Sequence, residues 1–227
     1  LAVDRRTLAR ERALANQLSA LVTLTATGAQ GLGQRMRLPD GKVHCIAHGN
    51  ADIAPRPLAS DGSLALLYFG FIYPGKGIET LFHALARVRA ARPQAPLRLT
   101  LAGGSAPELT FAGGGGYLAQ LQALAARLGI EQCLHWQLDL PAEQIVGCIQ
   151  SHQVMVLPYR QSWRIGLLGR MQGTSGALSW ASACGRGVIA TDTRSFAEEL
   201  SHGKGFGVGP DDSEAADPAI DRGLVQP

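Results

Sequence analysis

The chain has 227 residues, 46% of them apolar and 17% charged, with a formal net charge of +3. At ~100–200 residues per domain this is one large domain, or one domain with a piece of another. The apolar content excludes a disordered chain, and mild positive charge without Lys/Arg clusters argues against a nucleic-acid partner.

Residues 5–20 have a helical pattern, with Leu14, Leu18 and Leu21 on one face. A β-prone run follows at 21–25, then a second helix over 26–36 and a turn at Pro39-Asp40-Gly41. Residues 43–47 form a strand closed by His48-Gly49-Asn50, and 54–62, with two prolines, is a linker. Beyond it the pattern becomes regular. Apolar strands are predicted at 64–69, 97–101, 133–137, 154–157 and 188–191. Between them lie helices carried by Ile78, Leu81, Phe82, Leu85 and Val88, by Leu118, Leu121, Leu124 and Leu128, by Ile145, Val146 and Ile149, and by residues 175–184. The glycines 113–116 read as a flexible loop, and 211–227 as a polar tail.

Strands apolar on both faces, alternating with amphipathic helices, imply an α/β fold with a parallel sheet covered on both sides. Such sheets bind ligands beyond the carboxyl ends of their strands. The residues to inspect are therefore 70–77, 103–105, 138–140, 158–160 and 192–195.

Two of these neighbourhoods carry chemistry. In Gly70-Phe71-Ile72-Tyr73-Pro74-Gly75-Lys76-Gly77 a strand ends, a glycine loop follows, and a lysine stands at a helix start. Backbone N–H groups, the positive helix end and the ammonium together suit phosphate. The spacing is not that of a P-loop, and a plain surface lysine on a glycine turn is the alternative. In Gln172-Gly173-Thr174-Ser175-Gly176 a second helix start offers N–H groups and hydroxyls, although Thr174 or Ser175 is first of all an N-cap. His48 reads as a turn residue, His135 as a satisfied core residue, and Glu198-Glu199 as a helix face or loop anchor. Asp211-Asp212 reads as solvated. No metal-ligand spacing and no Ser-His-Asp signature is present.

Cys45, Cys133, Cys148 and Cys184 form no CxxC pair. Three lie in apolar stretches and read as core residues of a reduced, cytoplasmic protein. No apolar run reaches the ~18 residues that span a bilayer. The chain opens on Leu1 rather than Met, as a piece of a longer protein would.

Taken together, VHCIAHGN (43–50), YFGFIYPGKGIETL (68–81), LRLTLAGG (97–104), VMVLPY (154–159) and TSGALSWASACGRGVIATDTRSFAEEL (174–200) resemble the C-terminal half of family-4 glycosyltransferases of the GT-B fold. The resemblance covers about residues 40–210. It implies a Rossmann-like domain over 43–210 that binds a nucleotide-diphosphate sugar. It also implies that 1–38 is the tail of an otherwise absent N-terminal domain for an unknown acceptor. The implied activity is sugar transfer with retention of configuration and without a metal or other cofactor. Lys76 and Gln172 would be the catalytic residues. Gly70, Gly77, Gly103, Gly104, Thr174, Ser175 and Gly176 would line the donor site. Phe71 replaces the family's usual arginine, and Gln172 and Trp180 replace two usual glutamates. A GT-B protein that binds a nucleotide sugar without transferring it, a non-enzymatic interaction domain with a decayed pocket, and a nucleotide-sugar epimerase are the rival readings. The extra residues between Tyr159 and Gln172, with Arg160, Arg164 and Arg170, could touch a lipid surface or an acceptor; a loop packed on its own domain is the plainer alternative.

Overall fold

The structure is a computed structural model that describes residues 5–58, 62–104, 114–160, 175–192, 194–200 and 205–208. Its amino-terminal part comprises α1 (Arg5–Gln17), β1 (Leu21–Thr23), α2 (Ala26–Met36) and β2 (Val43–Cys45). Its larger part comprises β3 (Leu64–Phe69), α3 (Ile78–Ala91), β4 (Leu97–Gly103), α4 (Gly114–Leu128), β5 (Leu134–Leu138), α5 (Ala142–Gln150), β6 (Val154–Leu157), α6 (Gly176–Ala183), β7 (Gly187–Thr191), α7 (Arg194–Leu200) and β8 (Gly205–Val208).

Six strands form one parallel sheet in the order β5-β4-β3-β6-β7-β8. The alternation along each strand explains why the runs are continuously apolar. Leu64, Leu66 and Tyr68 of β3, with Leu99 and Leu101 of β4, pack under α3 and α4 against Ile78, Phe82, Leu85, Tyr117 and Leu121. Leu67, Ala102, Met155, Leu157, Val188 and Ala190 face the other way, against Ile149, Leu178, Ala181, Phe196 and Leu200. Each fully buried Leu or Phe contributes about 1.5–3 kcal/mol over its exposed state. Both faces are thus needed to hold the central strands.

The chain runs outward from β3 through β4 to β5, then returns to β3's other side at β6. The order therefore reverses between β3 and β6. In open α/β sheets the crevice at such a reversal is where ligands bind.

Several local expectations are corrected. The strand at 43–47 is Val43–Cys45 and does not join the main sheet. It pairs in parallel with β1 as a separate two-stranded sheet. Gly114–Gly116 are not a loop but the first turn of α4, drawn into the helix by burial of Tyr117, Leu121 and Ala125 on its inner face. The third strand begins at Leu134, because Cys133 closes a 3-10 turn. His135 is exposed rather than buried, because β5 is the edge strand of the sheet. Glu198 and Glu199 lie on the short helix α7, one of the two readings offered for them, and the sixth strand β8 adds to the five predicted. Cys133 and Cys184 are buried, Cys148 is half-buried, and Cys45 is exposed.

The amino-terminal part leaves apolar surface open. Leu14 is 60% exposed, Ile46 59%, and Leu18, Val22 and Leu24 lie between 43% and 55%. Val22 lies on β1, and Leu24 and Ile46 directly follow β1 and β2.

Candidate functional site

The carboxyl ends of β3, β4 and β5 are laced together by their own backbones. Gly70 donates to Ala102 O at 3.0 Å, Ile72 to Gly104 O at 3.0 Å, and Asp139 to Gly103 O at 3.0 Å. Gly103 has φ +157, and a Cβ there would collide with the Gly70 carbonyl. Tyr68, fully buried, sends its hydroxyl up to Phe71 O at 2.8 Å. These bonds hold the start of the 70–77 loop against the sheet edge.

The far end of that loop is held by β6. Arg160 N–H donates to Gly75 O at 3.2 Å. Gly77 stands at the N-cap of α3 in the left-handed region, φ +72, and a Cβ on it would run into the Pro158 carbonyl. That close approach of two backbones is why the residue after Lys76 is a glycine.

Lys76 Nζ lies 3.8 Å from the centroid of the Tyr159 ring and 5.1 Å from that of Tyr73. Burial pulls the ammonium's pKa below its ordinary value. Among the described residues no carboxylate forms an ion pair with it. Among these residues nothing neutralises its positive charge.

Tyr159 links this lysine to the second helix start. Its hydroxyl is 3.1 Å from Ser175 Oγ, and its ring packs against Phe196 with centroids 5.5 Å apart. Burial raises the phenol's pKa and the Ser175 hydrogen bond lowers it; the rise prevails, so the ring stays neutral. Ser175 occupies the N-cap of α6 with extended dihedrals, yet its side chain does not cap the helix. The expected N-cap role is thus filled by position only. The side chain turns to Tyr159, so among the described residues the first N–H groups of α6 receive no side-chain cap. A half-buried ammonium, a hydroxyl and a helix start together make an arrangement that suits an anion.

The structure brings Gly70, Lys76, Gly77, Ser175 and Gly176 together around Tyr159. Gly103 and Gly104 form the neighbouring rim. Gln172, Thr174 and the segment 161–170 lie outside the described residues. Trp180 is half-buried on α6, packed against the second core cluster. Phe71, at the rim, is 55% exposed.

On the next turn of α6, Ser179 Oγ donates to Asn50 Oδ1 and lies 3.2 Å from His48 Nδ1, fastening the 48–50 loop to the helix. Glu199 is half-buried nearby. Burial raises its pKa, against the opposing influence of His48. Glu198 does act as an anchor, accepting from the backbone of α2.

The residue that the sequence did not single out is Tyr159. Its one signal was its place just beyond the carboxyl end of an apolar strand.

A family model described as "Glycosyl transferases group 1" matches residues 63–224. Two curated relatives are D-inositol 3-phosphate glycosyltransferases. That of Corynebacterium jeikeium is 32% identical over 130 residues, 57% of this chain and 27% of the relative. That of Arthrobacter sp. is 27% identical over 157 residues, 69% of this chain and 32% of the relative. The chain therefore spans about a third or less of these relatives. Among solved structures, Anabaena HepE in complex with UDP superposes with a TM-score of 0.75 at 16% identity, over 97% of this chain and 58% of that one. The sucrose-phosphate synthase of Thermosynechococcus elongatus does so with a TM-score of 0.72 at 22% identity, over 98% and 53%. These likenesses are to proteins of the GT-B fold.

Proposed function

The chain belongs to the group 1 glycosyl transferases, and on that premise we propose that it is the donor-binding part of an enzyme moving a sugar from a nucleoside diphosphate to an acceptor. The observation that carries this reading is the meeting of Lys76, Tyr159 and Ser175 where the strand order reverses. A diphosphate seated there has an ammonium on one side and the start of α6 on the other. Charge that develops on the leaving diphosphate is stabilised by both, at no cost of reorganisation during the reaction. Retention of configuration and independence of a metal rest on the GT-B resemblance. Gln172 would hold the sugar hydroxyls, and Thr174 and Gly176 would complete the phosphate cradle.

The UDP and UDP-glucose complexes of HepE support a uridine nucleotide as the first donor to try. Exposed Leu14, Leu18, Val22, Leu24 and Ile46 support an acceptor-binding half joined at the amino-terminal end. Because β2 pairs with β1, that half would extend to Cys45 rather than end at residue 38. The unpaired thiols support a reducing, cytoplasmic location. Among the described residues no helix is long and apolar enough to cross a membrane.

Phe71 favours a second reading, in which the domain binds the nucleotide sugar without transferring it. An apolar ring stands where the family usually has a cation, so the diphosphate has one charge partner fewer. Titration of UDP, GDP and ADP into the chain tests the site. Saturable binding of at least one is expected, and binding of none overturns the donor reading. Donor turnover by the whole protein then separates transfer from binding alone.

A further inference from the structure

We propose that Tyr159 is a positioning residue that couples Lys76 to Ser175, so that ammonium and hydroxyl converge on one phosphate group. This inference rests on the donor reading above and assigns a residue to it. Three separated segments meet on this one side chain. Lys76 comes from the loop after β3, Tyr159 from the end of β6, and Ser175 from the start of α6.

The ring face holds the lysine. At 3.8 Å the Tyr159 centroid is well within the ~6 Å of an effective cation–π contact, and Tyr73 stands at 5.1 Å. This matters for anion binding. A carboxylate in the same place would also hold the ammonium, but an incoming phosphate would then have to displace it. An aromatic face orients the ammonium and leaves its net charge uncancelled.

The hydroxyl holds the serine. Tyr159 stays protonated and can donate to Ser175 Oγ across 3.1 Å. The serine proton is then free for an oxygen arriving at the start of α6, and a donor polarised in such a chain is strengthened. The phenol itself has little freedom. Its ring rests on Phe196, which is buried, and the next residue's N–H is tied to Gly75 O. With Phe71 in place of a second cation, the placement of the single lysine carries more of the binding.

The test uses the 227-residue chain with Tyr159→Phe and Tyr159→Leu, each alone and with Lys76→Ala. UDP affinity is read by calorimetry. The chemical shift of the Lys76 ε-methylene protons, which the ring current of Tyr159 moves upfield, is read by NMR without ligand. Tyr159→Leu should raise the UDP dissociation constant about tenfold, in the range of cation–π effects, and remove most of the upfield shift, leaving the smaller part due to Tyr73. Tyr159→Phe should keep the shift and lose only about threefold, as one neutral hydrogen bond would. In the Lys76→Ala background Tyr159→Leu should add only the roughly threefold loss of its hydroxyl, because the ring acts through the lysine. The phenylalanine variant keeps the outcome readable should the leucine variant not fold. Wild-type affinity in Tyr159→Leu, or losses that simply add to those of Lys76→Ala, would overturn the positioning role while leaving the donor reading intact. If the wild-type chain shows the upfield shift but binds no UDP, GDP or ADP, the donor reading fails, and the role toward phosphate falls with it. An absent shift in wild type overturns the coupling directly.

Discussion

The Glu198 carboxylate spans the first turn of α2, accepting from Thr27 N–H at 2.9 Å with one oxygen and from Ala26 N–H at 2.6 Å with the other. The two partners are 171 residues apart in sequence, so this clasp ties the amino-terminal part to the main sheet. Burial raises the carboxyl's pKa, but the hydrogen bonds from Thr27 and Ala26 outweigh it and leave it below the usual value. A lowered folded pKa means stability that is present above the unfolded value of ~4.3 and lost as pH falls through the folded one. Glu198→Ala should cost about 1 kcal/mol at pH 7, the size of an N-cap loss. Urea titrations of both forms should converge as pH falls through the lowered carboxyl value. A constant difference across that range would show that the carboxylate's charge is not what clasps the helix.

Lys76→Ala should weaken nucleoside-diphosphate binding by roughly 1.5–3 kcal/mol, the range of hydrogen bonds to charged groups. Its melting should barely move, since such a change at a partly exposed position usually shifts stability by about 0.5 kcal/mol. Phe71→Arg should tighten binding by returning a cation to an exposed rim position. Calorimetric titration of UDP into the three forms checks both. Equal affinity of wild type and Lys76→Ala would remove the lysine from the phosphate site.

Gly77→Ala should cost roughly 2–4 kcal/mol, from left-handed strain and collision with the Pro158 carbonyl. Gly116→Ala is the control. It lies on α4 with open space at its Cβ, and alanine there should add up to about 1 kcal/mol. Thermal melts of the pair should move in opposite directions. A harmless Gly77→Ala would mean the Lys76 turn is not pinned to β6.

His152 is 5% exposed, with Nδ1 2.7 Å from Cys148 O and Nε2 2.7 Å from Thr100 Oγ1. A carbonyl only accepts, so Nδ1 carries the proton and Nε2 accepts from the threonine. Burial lowers the imidazole's pKa; the Cys148 hydrogen bond opposes this, and the charges of Arg98 and His135 add to it. The unfolded chain then takes up a proton that the folded one refuses. Stability should fall as pH drops below the unfolded value of ~6.5 toward the lowered folded value. His152→Gln should be less stable at pH 8 but should lose this part of the pH dependence between pH 6.5 and 5. Parallel slopes for the two forms in denaturant titrations would assign the acid sensitivity elsewhere.

Much of the architecture is legible in the sequence. Runs such as 64–69 and 97–101 are apolar at every position because side chains point alternately to two helix-covered faces. Helix spacing such as Ile78, Leu81, Phe82 and Leu85 marks the face each helix buries. Proline and glycine marked where strands end, and that was enough to name Gly70, Lys76 and Gly77. The residues 114–116 misled because glycine is a poor helix former by itself. Burial of Tyr117 and Leu121 overrode that preference.

The order of the strands could not be read this way. Parallel strands pair through backbone groups that every residue shares, so an apolar run states that it is buried, not which run lies beside it. Only the packed sheet puts β6 against β3, and with it Tyr159 against Lys76 and Ser175. The amino acid types that could serve a phosphate were thus set by the sequence alone. Their convergence was decided by the tertiary structure, because bringing together residues 76, 159 and 175 requires the whole sheet between them to be buried first.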